Sequence, residues 1–521
     1  MKECNKKSVS LQDLAVMTVL ILTTVILCFL NWIAMSRTYS ADFGLPIPER
    51  VGVSEELIVL HLILVLLCGV MIYILSGILM RKNAAERLRK LSILASGGIM
   101  LFSLIWICQH DTLTVADQAY VHQGAVSLAL EDGSFLKDSY FWYYPHQYSM
   151  VVLFSLAVSV FGRSLAVIQV ANILSTGCFV WFGSKLVQRI FQSEQISAVF
   201  LFLCMSCFPL VFYSPFIYGD IISTGMIMMM MSCAVEYKYT GKTKDAFLLA
   251  LAALTALMAR KNSLIALIAV FLVFTVLAFD KKIRSRCLVI DGLMVLVTLL
   301  VLKGVPFYVE QKIQAPLSEG VPPAAFVTMG LSDSALGPGW YNGYVAEIPS
   351  RFGFDEEQIG IQAKEELKEK IHEMVQDPSG SMDFFARKIG SEWADPSFQS
   401  LSMNNYFGPD QFAMPYAVYH EEKIYRNLLS IMNVMQSCVY LCALASTVLM
   451  IIKDRKKPDL LLRLLPMVLF LGGFLFHLGW EAKGRYCFPY YLMLFPYAAY
   501  GLTQTISAFL KWLEEEKIKE Y

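Results

Sequence analysis

Long apolar stretches alternate with short polar ones along most of the 521-residue chain. A helix needs about 20 predominantly apolar residues to cross the hydrocarbon core of a bilayer. Twelve stretches come near that length, so the pattern predicts an all-α polytopic membrane protein with about 12 transmembrane helices. The twelve stretches lie at 14–33, 57–80, 91–108, 164–184, 197–213, 221–235, 246–259, 263–279, 287–302, 427–452, 460–478 and 488–510.

A further apolar stretch, 149–161, is shorter, and the distribution of positive charge decides how it is placed. If it does not cross and the N-terminus is cytoplasmic, the seven inner segments carry 25 Lys and Arg, whereas the five shorter outer loops carry 8. Lys and Arg accumulate in cytoplasmic loops and set the orientation of a membrane protein. We therefore predict that both termini are cytoplasmic and that 149–161 is a re-entrant or interface-lying helix.

Two regions on the predicted outer face are too long to be plain connections. The first, 109–163, should contain a helix over 114–130 followed by the short helix just described. The second, 304–425, is rich in Gly and Pro in its first half, and its second half predicts two amphipathic helices at 355–376 and 381–393. We expect the second region to form a small, mostly α-helical extracytoplasmic cap.

These features divide the chain into four parts. Residues 1–90 are an N-terminal two-helix addition, 91–303 are a transmembrane core, 304–425 are the cap, and 426–521 are C-terminal transmembrane helices. The composition agrees with a membrane protein, because 56% of the residues are hydrophobic, 17% are charged and the mean hydropathy is +0.53. The formal net charge of zero says nothing about partners, and we expect no nucleic acid among them.

Side chains that can carry chemistry concentrate on the predicted outer face, above all in 109–148. Ionisable groups are costly inside a bilayer, so these side chains should lie at an aqueous face or line a cavity. Carboxylates beside basic groups suit a phosphate-bearing lipid substrate: Arg and Lys would hold the phosphate, and a carboxylate would act as general base or bind a divalent cation. The candidate carboxylates are Asp111, Asp117, Asp220 and Glu481, and the candidate basic residues are Arg260, Lys261, Lys483 and Arg485.

Three outer segments and one turn together resemble a known superfamily. They are Asp117-Gln-Ala-Tyr followed by Tyr140-Phe-Trp-Tyr-Tyr-Pro145, then Tyr213-Ser-Pro-Phe-Ile-Tyr-Gly-Asp220, then the turn Arg260-Lys-Asn262, and finally Glu481-Ala-Lys-Gly-Arg485-Tyr-Cys-Phe-Pro489. The pattern resembles the GT-C superfamily of polyprenyl-phosphate-sugar glycosyltransferases. Within it, the chain is most similar to the protein O-mannosyltransferase and aminoarabinose-transferase branch, over most of 92–510.

The resemblance implies an outer-loop aspartate that deprotonates the acceptor, inversion at the sugar carbon, and a lipid-linked donor whose isoprenoid tail lies in the bilayer. Carried over by position, Asp117 would be the base and Asp220 the second acidic site. Arg485 and Lys483 would contact the phosphate of the donor.

Two positions depart from the family pattern. The mannosyltransferase branch carries an Asp-Glu pair where this chain has Asp117 followed by Gln118. The aminoarabinose branch has a basic residue ahead of the proline where this chain has Tyr144. The metal therefore stays open, with Mg or Mn as the candidate divalent cation.

Each candidate carboxylate also has a plainer interpretation. Residues 114–117 fit a capping box that Asp117 would close, and Asp111 is either the competing base or a solvated loop acid. Asp220 precedes an apolar segment, where the helix dipole stabilises an acid.

The basic and aromatic candidates also have alternative roles. Arg485 and Lys483 can be charges that snorkel to the interface. Arg260 and Lys261 lie in a short turn on the predicted outer face, where positive charge is otherwise scarce, and this placement favours an anionic partner. His146 is the best-placed histidine because it follows a proline. The aromatic residues of 140–144, Tyr144 among them, fit an interfacial belt or a platform for a sugar ring.

The sequence therefore predicts an outward-facing glycosyltransferase in a prokaryotic plasma membrane that uses a polyprenyl-phosphate-linked sugar. The acceptor can be a cell-wall polymer, a glycolipid or a protein. A secondary transporter would need ionisable residues at mid-membrane depth and paired repeats, and neither is evident in the sequence. A flippase or non-catalytic scaffold for lipid-linked glycans remains the alternative, because it would use the same basic residues without needing Asp117.

Overall fold

The computed structural model describes residues 11–41, 50–81, 83–110, 112, 114, 116–403, 417–419, 421–455, 457 and 459–519. Its α-helices are Leu11–Ser36, Ile58–Leu79, Ala84–Cys108, Asp117–Leu130, Ser139–Tyr143, Tyr148–Phe161, Ala166–Phe191, Glu194–Met205, Phe208–Phe212, Asp220–Thr240, Thr243–Ala259, Leu264–Leu277, Arg284–Leu299, Val305–Ile313, Pro323–Gly330, Tyr344–Arg351, Glu356–Gln376, Pro378–Trp393, Glu422–Leu449, Leu460–Arg463, Leu465–Gly479, Gly484–Tyr491 and Phe495–Lys519. Short 3-10 turns lie at Ser134–Lys137, Pro145–Gln147, Lys261–Ser263 and Leu492–Leu494, and π-helical turns lie at Leu300–Gly304 and Met450–Asp454.

The structure confirms a helical, multi-pass membrane protein, since every predicted apolar segment falls on one or two helices. Six helical stretches in the described part of the chain are long and apolar enough to cross a bilayer. The full set of twelve crossings and the orientation of the termini stay predictions. The six stretches are Leu11–Ser36, Ile58–Leu79, Ala84–Cys108, Ala166–Phe191, Arg284–Ile313 and Glu422–Asp454.

The apolar stretch predicted not to cross forms the 14-residue helix Tyr148–Phe161. At 1.5 Å per residue its length is about 21 Å, which is short of the roughly 30 Å hydrocarbon core. It packs against the helix Asp117–Leu130, where a Cβ atom on Gly124 would lie 3.0 Å from Phe141 and 3.3 Å from Val151. The two helices of this outer loop therefore form a tight pair.

Both predicted cap helices are present. Glu356–Gln376 begins at Asp355, whose side chain accepts hydrogen bonds from two backbone N–H groups of the first turn. Asp377 caps Pro378–Trp393 with one such bond, from the backbone N–H of Gly380. In the first of these helices Ile359 is buried, whereas the C-terminal half is largely exposed.

Among the described residues, a pair of antiparallel strands, Arg37–Ala41 and Val51–Glu55, departs from the all-α prediction. The backbone N–H of Tyr39 donates to the carbonyl of Ala394 at 3.1 Å, and that of Val51 donates to the carbonyl of Leu336 at 2.9 Å. These bonds attach the two strands to the region 304–425.

Two neighbouring helices bring their ends to the candidate site. Asp220–Thr240 packs against both Ala166–Phe191 and Thr243–Ala259, and their buried apolar side chains join one continuous cluster. Asp220 opens the first of these helices and Arg260 directly follows the last. The helix ends thus place an acidic and a basic side chain side by side.

Candidate active site

Asp117 is the first residue of its helix and does not close a capping box. The helix begins at Asp117, not at residue 114, and Ala116 at its N-cap makes no side-chain hydrogen bond, so the capping-box prediction is wrong. The Asp117 carboxylate accepts a 3.0 Å hydrogen bond from the hydroxyl of Tyr140. The Tyr140 ring stacks on Tyr120 with 4.3 Å between the centroids, so the aromatic segment fixes the carboxylate.

Two amide side chains hold the segment 213–220, the second of the predicted outer motifs. Asn172 donates to the carbonyls of Ser214 and Phe216 at 3.1 and 2.8 Å. Gln118, which is 4% exposed, accepts a 2.8 Å hydrogen bond from the backbone N–H of Ile217. Gln118, which stands where the mannosyltransferase pattern has Glu, therefore connects the segment around Asp117 to the segment 213–220.

Asp220 forms a buried ion pair with Arg260, with 3.6 Å between Oδ1 and Nη2. A Cβ atom on Gly219 would lie 2.0 Å from the carbonyl oxygen of Ala259, so this close approach of the loop requires glycine. Burial opposes the charge of Arg260, but the carboxylate of Asp220 outweighs it and raises the pKa of Arg260. The other carboxylate oxygen, Oδ2, is buried without a hydrogen-bond partner among the described residues.

Arg485 is 4% exposed and lies among aromatic rings. Its guanidinium carbon is 5.3 Å from the ring centroid of Tyr218 and 5.0 Å from that of Tyr486. Arg260 contacts the same two rings, at 5.0 and 5.3 Å. Two guanidinium groups thus share one aromatic pair, which stabilises both by cation–π attraction. The Nε atom of Arg485 is buried and has no hydrogen-bond partner in the described part of the chain.

The three segments that were predicted to face outward all act on the charge of Arg485. Burial opposes its charge, but the carboxylates of Asp220 and Asp117, together with nearby phenol groups, more than compensate and raise the pKa of Arg485. Asp117 belongs to the first outer segment, Asp220 to the second and Arg485 to the third. Contacts join the same segments: Arg485 packs on the Tyr218 ring, and Gln118, next to Asp117, accepts a hydrogen bond from the backbone of Ile217, so the segments form one polar cluster.

Glu481 and Lys483 precede Arg485 on the same segment and are almost completely buried, at 8% and 9% exposure. Burial raises the pKa of Glu481, the positive charges of Lys483 and Arg485 oppose this rise, and the negative charge of Asp117 adds to it. Glu481 and Lys483 therefore add one buried acidic and one buried basic group to the segment that carries Arg485.

Tyr144 and His146 lie next to the cluster. The half-buried Tyr144 ring is 5.2 Å from that of Tyr140 and 5.9 Å from the imidazole of His146. Burial, followed by the positive charges of Lys261 and Arg260, lowers the pKa of His146 to about 3. His146 is therefore neutral at physiological pH, and Lys261 lies on the exposed edge of the cluster.

Two expectations find no support in the geometry of this region. Asp111, the competing base, falls outside the described residues. No group of three or more His, Cys, Asp or Glu side chains is positioned to hold a metal ion in the part of the chain that the structure describes, so we assign no ligands to Mg or Mn. An apolar cavity lined in part by Leu203, Cys207 and Tyr491 contains none of the predicted site residues.

Several side chains of the cluster escaped the sequence analysis. Tyr140, interpreted as part of an interfacial belt, is 8% exposed and bonds to Asp117, so that interpretation is wrong for this residue. Tyr218 lies inside a motif but was not singled out. Lys388, on a cap helix, is fully buried. Nothing in the sequence except the helical period of its segment indicates where this side chain lies.

Searches of family models and of curated proteins find no match to the chain. Among solved structures, the chain is similar to the archaeal oligosaccharyltransferase AglB from Archaeoglobus fulgidus, in complex with an inhibitory peptide and a dolichol-phosphate. The sequence identity is 13% and the TM-score is 0.43, over 82% of this chain and 52% of that one. The chain therefore spans about half the length of that structure, and the similarity is too weak to carry an argument about fold or function.

Proposed function

We propose that the chain is a membrane glycosyltransferase that transfers a sugar from a polyprenyl-phosphate-linked donor to an extracytoplasmic acceptor with inversion at the sugar carbon. The observation that carries the proposal is one polar cluster built from three distant segments: Asp220 pairs with Arg260, Arg485 packs on the Tyr218 ring, and Gln118, the neighbour of Asp117, accepts a hydrogen bond from the backbone of Ile217. The acceptor is a cell-wall polymer, a glycolipid or a protein.

The basic side chains of the cluster would hold the phosphate of the donor. Arg485 has a buried, unpartnered Nε, and guanidinium groups bind phosphate oxygens through paired N–H donors. Arg260 and Lys483 would add positive charge within the cluster, and Lys261 would add it at the exposed edge. This arrangement would stabilise the negative charge of the departing polyprenyl phosphate.

Asp117 would be the general base. It would take the proton from an acceptor hydroxyl while the hydroxyl oxygen attacks the anomeric carbon, and the bond from that carbon to the phosphate oxygen would break with its electron pair on the phosphate. The hydrogen bond from Tyr140 occupies Oδ1, and Oδ2 makes no hydrogen bond with a described residue. The unoccupied oxygen is therefore available to accept the proton.

The remaining site residues would position the sugar. The unpartnered Oδ2 of Asp220 can accept a hydrogen bond from a sugar hydroxyl, and so can the neutral imidazole of His146. Glu481 has a raised pKa, so near neutral pH more of this group is protonated, and able to donate, than of an ordinary glutamate. Tyr144 adds a ring face beside them.

The isoprenoid tail of the donor would lie in the bilayer beside the transmembrane helices. The cluster would face the outside of a plasma membrane, and the product would belong to the cell envelope. This orientation follows from the charge bias of the loops.

The proposal is tested by transfer from a panel of radiolabelled polyprenyl-phosphate sugars in membranes that contain the wild type or Arg485→Gln. We expect label to pass from the lipid to a water-soluble, glycolipid or protein fraction, and Arg485→Gln to lower kcat/KM for the donor at least tenfold. Arg163→Gln is the matched control, because Arg163 is an exposed basic residue of an outer loop that pairs with Glu131.

One outcome would overturn the enzyme proposal and favour a flippase or scaffold. In that outcome no donor supports sugar transfer, but polyprenyl phosphate still binds to the protein in a manner that depends on Arg485. Equal kcat/KM for the donor in wild type and Arg485→Gln would show that the cluster does not bind the phosphate of the donor. Uptake of a soluble solute driven by an ion gradient would favour a secondary transporter.

A further inference from the structure

The side chain of Lys388, on the cap helix Pro378–Trp393, is fully buried. Its ammonium group donates to three backbone carbonyls: Gly330 at 2.6 Å, Trp480 at 2.9 Å and Leu478 at 3.2 Å. An ammonium group has three N–H donors, so these bonds saturate it. Burial of a lysine is costly without such partners, which marks the contact as specific.

The three carbonyls belong to the C-terminal ends of two helices. Gly330 is the last residue of Pro323–Gly330, and Leu478 and Trp480 lie at the end of Leu465–Gly479. Carbonyls at a helix C-terminus lack partners within the helix and carry the negative end of its dipole. One buried cation therefore joins the end of a cap helix to the end of a helix in the C-terminal part of the chain, 426–521.

Glycines let the backbone close around this lysine. A Cβ atom on Gly330 would lie 2.4 Å from the carbonyl carbon of Trp480, and one on Gly339 would lie 2.6 Å from Cδ and Cε of Lys388. Gly339 also has a φ of +74°, which favours glycine. No other residue would fit at either position without moving the chain.

The segment that Lys388 holds is the one that carries the basic residues of the site. Beyond Trp480, the backbone N–H of Glu481 donates to the carbonyl of Phe326, and that of Ala482 donates to the carbonyl of Gly339, both at 3.2 Å. All these partners belong to the cap. Lys483 and Arg485 follow directly, so their placement depends on contacts from the cap.

We propose that Lys388 is a positioning residue, which fixes the backbone of 478–482 from the cap and so orients Lys483 and Arg485 toward the phosphate of the donor. The proposal rests on the proposed function for the identity of that ligand. It gives the cap a part in donor binding, in addition to any contact with the acceptor.

Glu392 lies one helical turn further on and is a secondary partner. Its Oε1 is 3.8 Å from the Lys388 ammonium, which is too long for a hydrogen bond, and it has no hydrogen-bond partner among the described residues. The three carbonyls, rather than the carboxylate, therefore hold Lys388 in place.

The test compares wild type with Lys388→Met in the full-length protein in nanodiscs, with Arg387→Met as the control from the exposed face of the same helix. Hydrogen exchange of the Glu481 and Ala482 amides should accelerate at least tenfold in Lys388→Met and stay unchanged in Arg387→Met. KM for the polyprenyl-phosphate donor should rise at least fivefold in Lys388→Met, while kcat changes less than threefold.

A purely structural lysine would lower the amount of folded protein but leave local exchange and KM of the folded fraction unchanged, which would overturn the proposal. If Lys388→Met does not fold, Gly330→Ala displaces the same segment and leaves Lys388 intact. Wild-type exchange rates and KM in Gly330→Ala would then overturn it. Absence of transfer by the wild type would refute the proposed function alone, because the exchange measurement still decides whether Lys388 fixes the segment.

Discussion

Replacement of Asp220 with Asn would leave the guanidinium of Arg260 buried beside a neutral group. The side chains of Asp220 and Arg260 are 4% and 15% exposed, and their charged atoms are 3.6 Å apart. At that separation, with an effective dielectric constant of about 20, the attraction is about 4 to 5 kcal/mol. Removal of one partner from a buried pair costs about 3 to 5 kcal/mol. Because the rings of Tyr218 and Tyr486 still stabilise Arg260, we expect a loss of about 3 kcal/mol of unfolding free energy.

A double-mutant cycle isolates the pair. Asp220→Asn, Arg260→Gln and the double variant would be unfolded reversibly in mixed micelles, and the interaction energy would be taken from the four free energies of unfolding. We expect a coupling of about 2 kcal/mol. The value is smaller than the full attraction because Arg485 also attracts Asp220 and partly compensates when Arg260 is replaced. The exposed pair of Asp383 and Arg387, 2.8 Å apart, is the matched control and should couple by less than about 0.5 kcal/mol.

A coupling for Asp220 and Arg260 no larger than that of the exposed control pair would refute this reasoning. It would mean that solvent screens the two charges, and the cluster could not then present a desolvated guanidinium to a phosphate.

Two further predictions concern single side chains. Tyr140→Phe removes the hydrogen bond to Asp117 but keeps the stack on Tyr120. We therefore expect kcat for sugar transfer to fall roughly tenfold with little change in melting temperature. An unchanged kcat would contradict this prediction. Burial raises the pKa of Glu392 to about 8, although the charge of Lys388 opposes it. The folded state then holds this proton more tightly than the unfolded state, so unfolding free energy falls as pH rises from about 4.5 to about 8. Glu392→Gln should lessen that decline by up to about 1.4 kcal/mol per pH unit. Thermal unfolding at a series of pH values measures it, and the same pH dependence in wild type and Glu392→Gln would contradict the raised pKa of Glu392.

The sequence predicted the helices well because their signals are local. Apolar stretches of membrane-spanning length leave a helix as the main way to satisfy the backbone hydrogen bonds in lipid. The cap helices combine an apolar period with aspartate caps, as at Asp355. The strand pair Arg37–Ala41 and Val51–Glu55 lacks a comparable signal, since its strands are short and its backbone bonds to the distant residues Leu336 and Ala394 stabilise it.

The start of the helix at Asp117 was misplaced for a related reason. The sequence of 114–117 matches a capping box, but in the structure the Asp117 carboxylate accepts a hydrogen bond from Tyr140, 23 residues away. A local sequence pattern does not reveal such a tertiary contact. The aromatic run was likewise interpreted from its composition, which resembles an interfacial belt, although Tyr140 is buried.

The candidate site was predictable in its members but not in its geometry. Topology placed the acidic and basic residues on one face, but it could not show that Arg260 and Arg485 share two tyrosine rings. Lys388 was unpredictable because a lysine on an amphipathic helix is ordinarily solvated. Only the structure shows the two helix ends that surround its ammonium group.

The central claim is that Asp117 is the base of a sugar-transfer reaction, and the most direct test is the transfer rate of Asp117→Asn. The amide keeps the shape of the carboxylate and an oxygen for the hydrogen bond from Tyr140, but it cannot take a proton from the acceptor. At equal expression, with a donor that the wild type uses, we predict that transfer falls by about 10²–10⁴-fold. Transfer at the wild-type rate would contradict the account and assign the base to another carboxylate, Asp111 or Asp220.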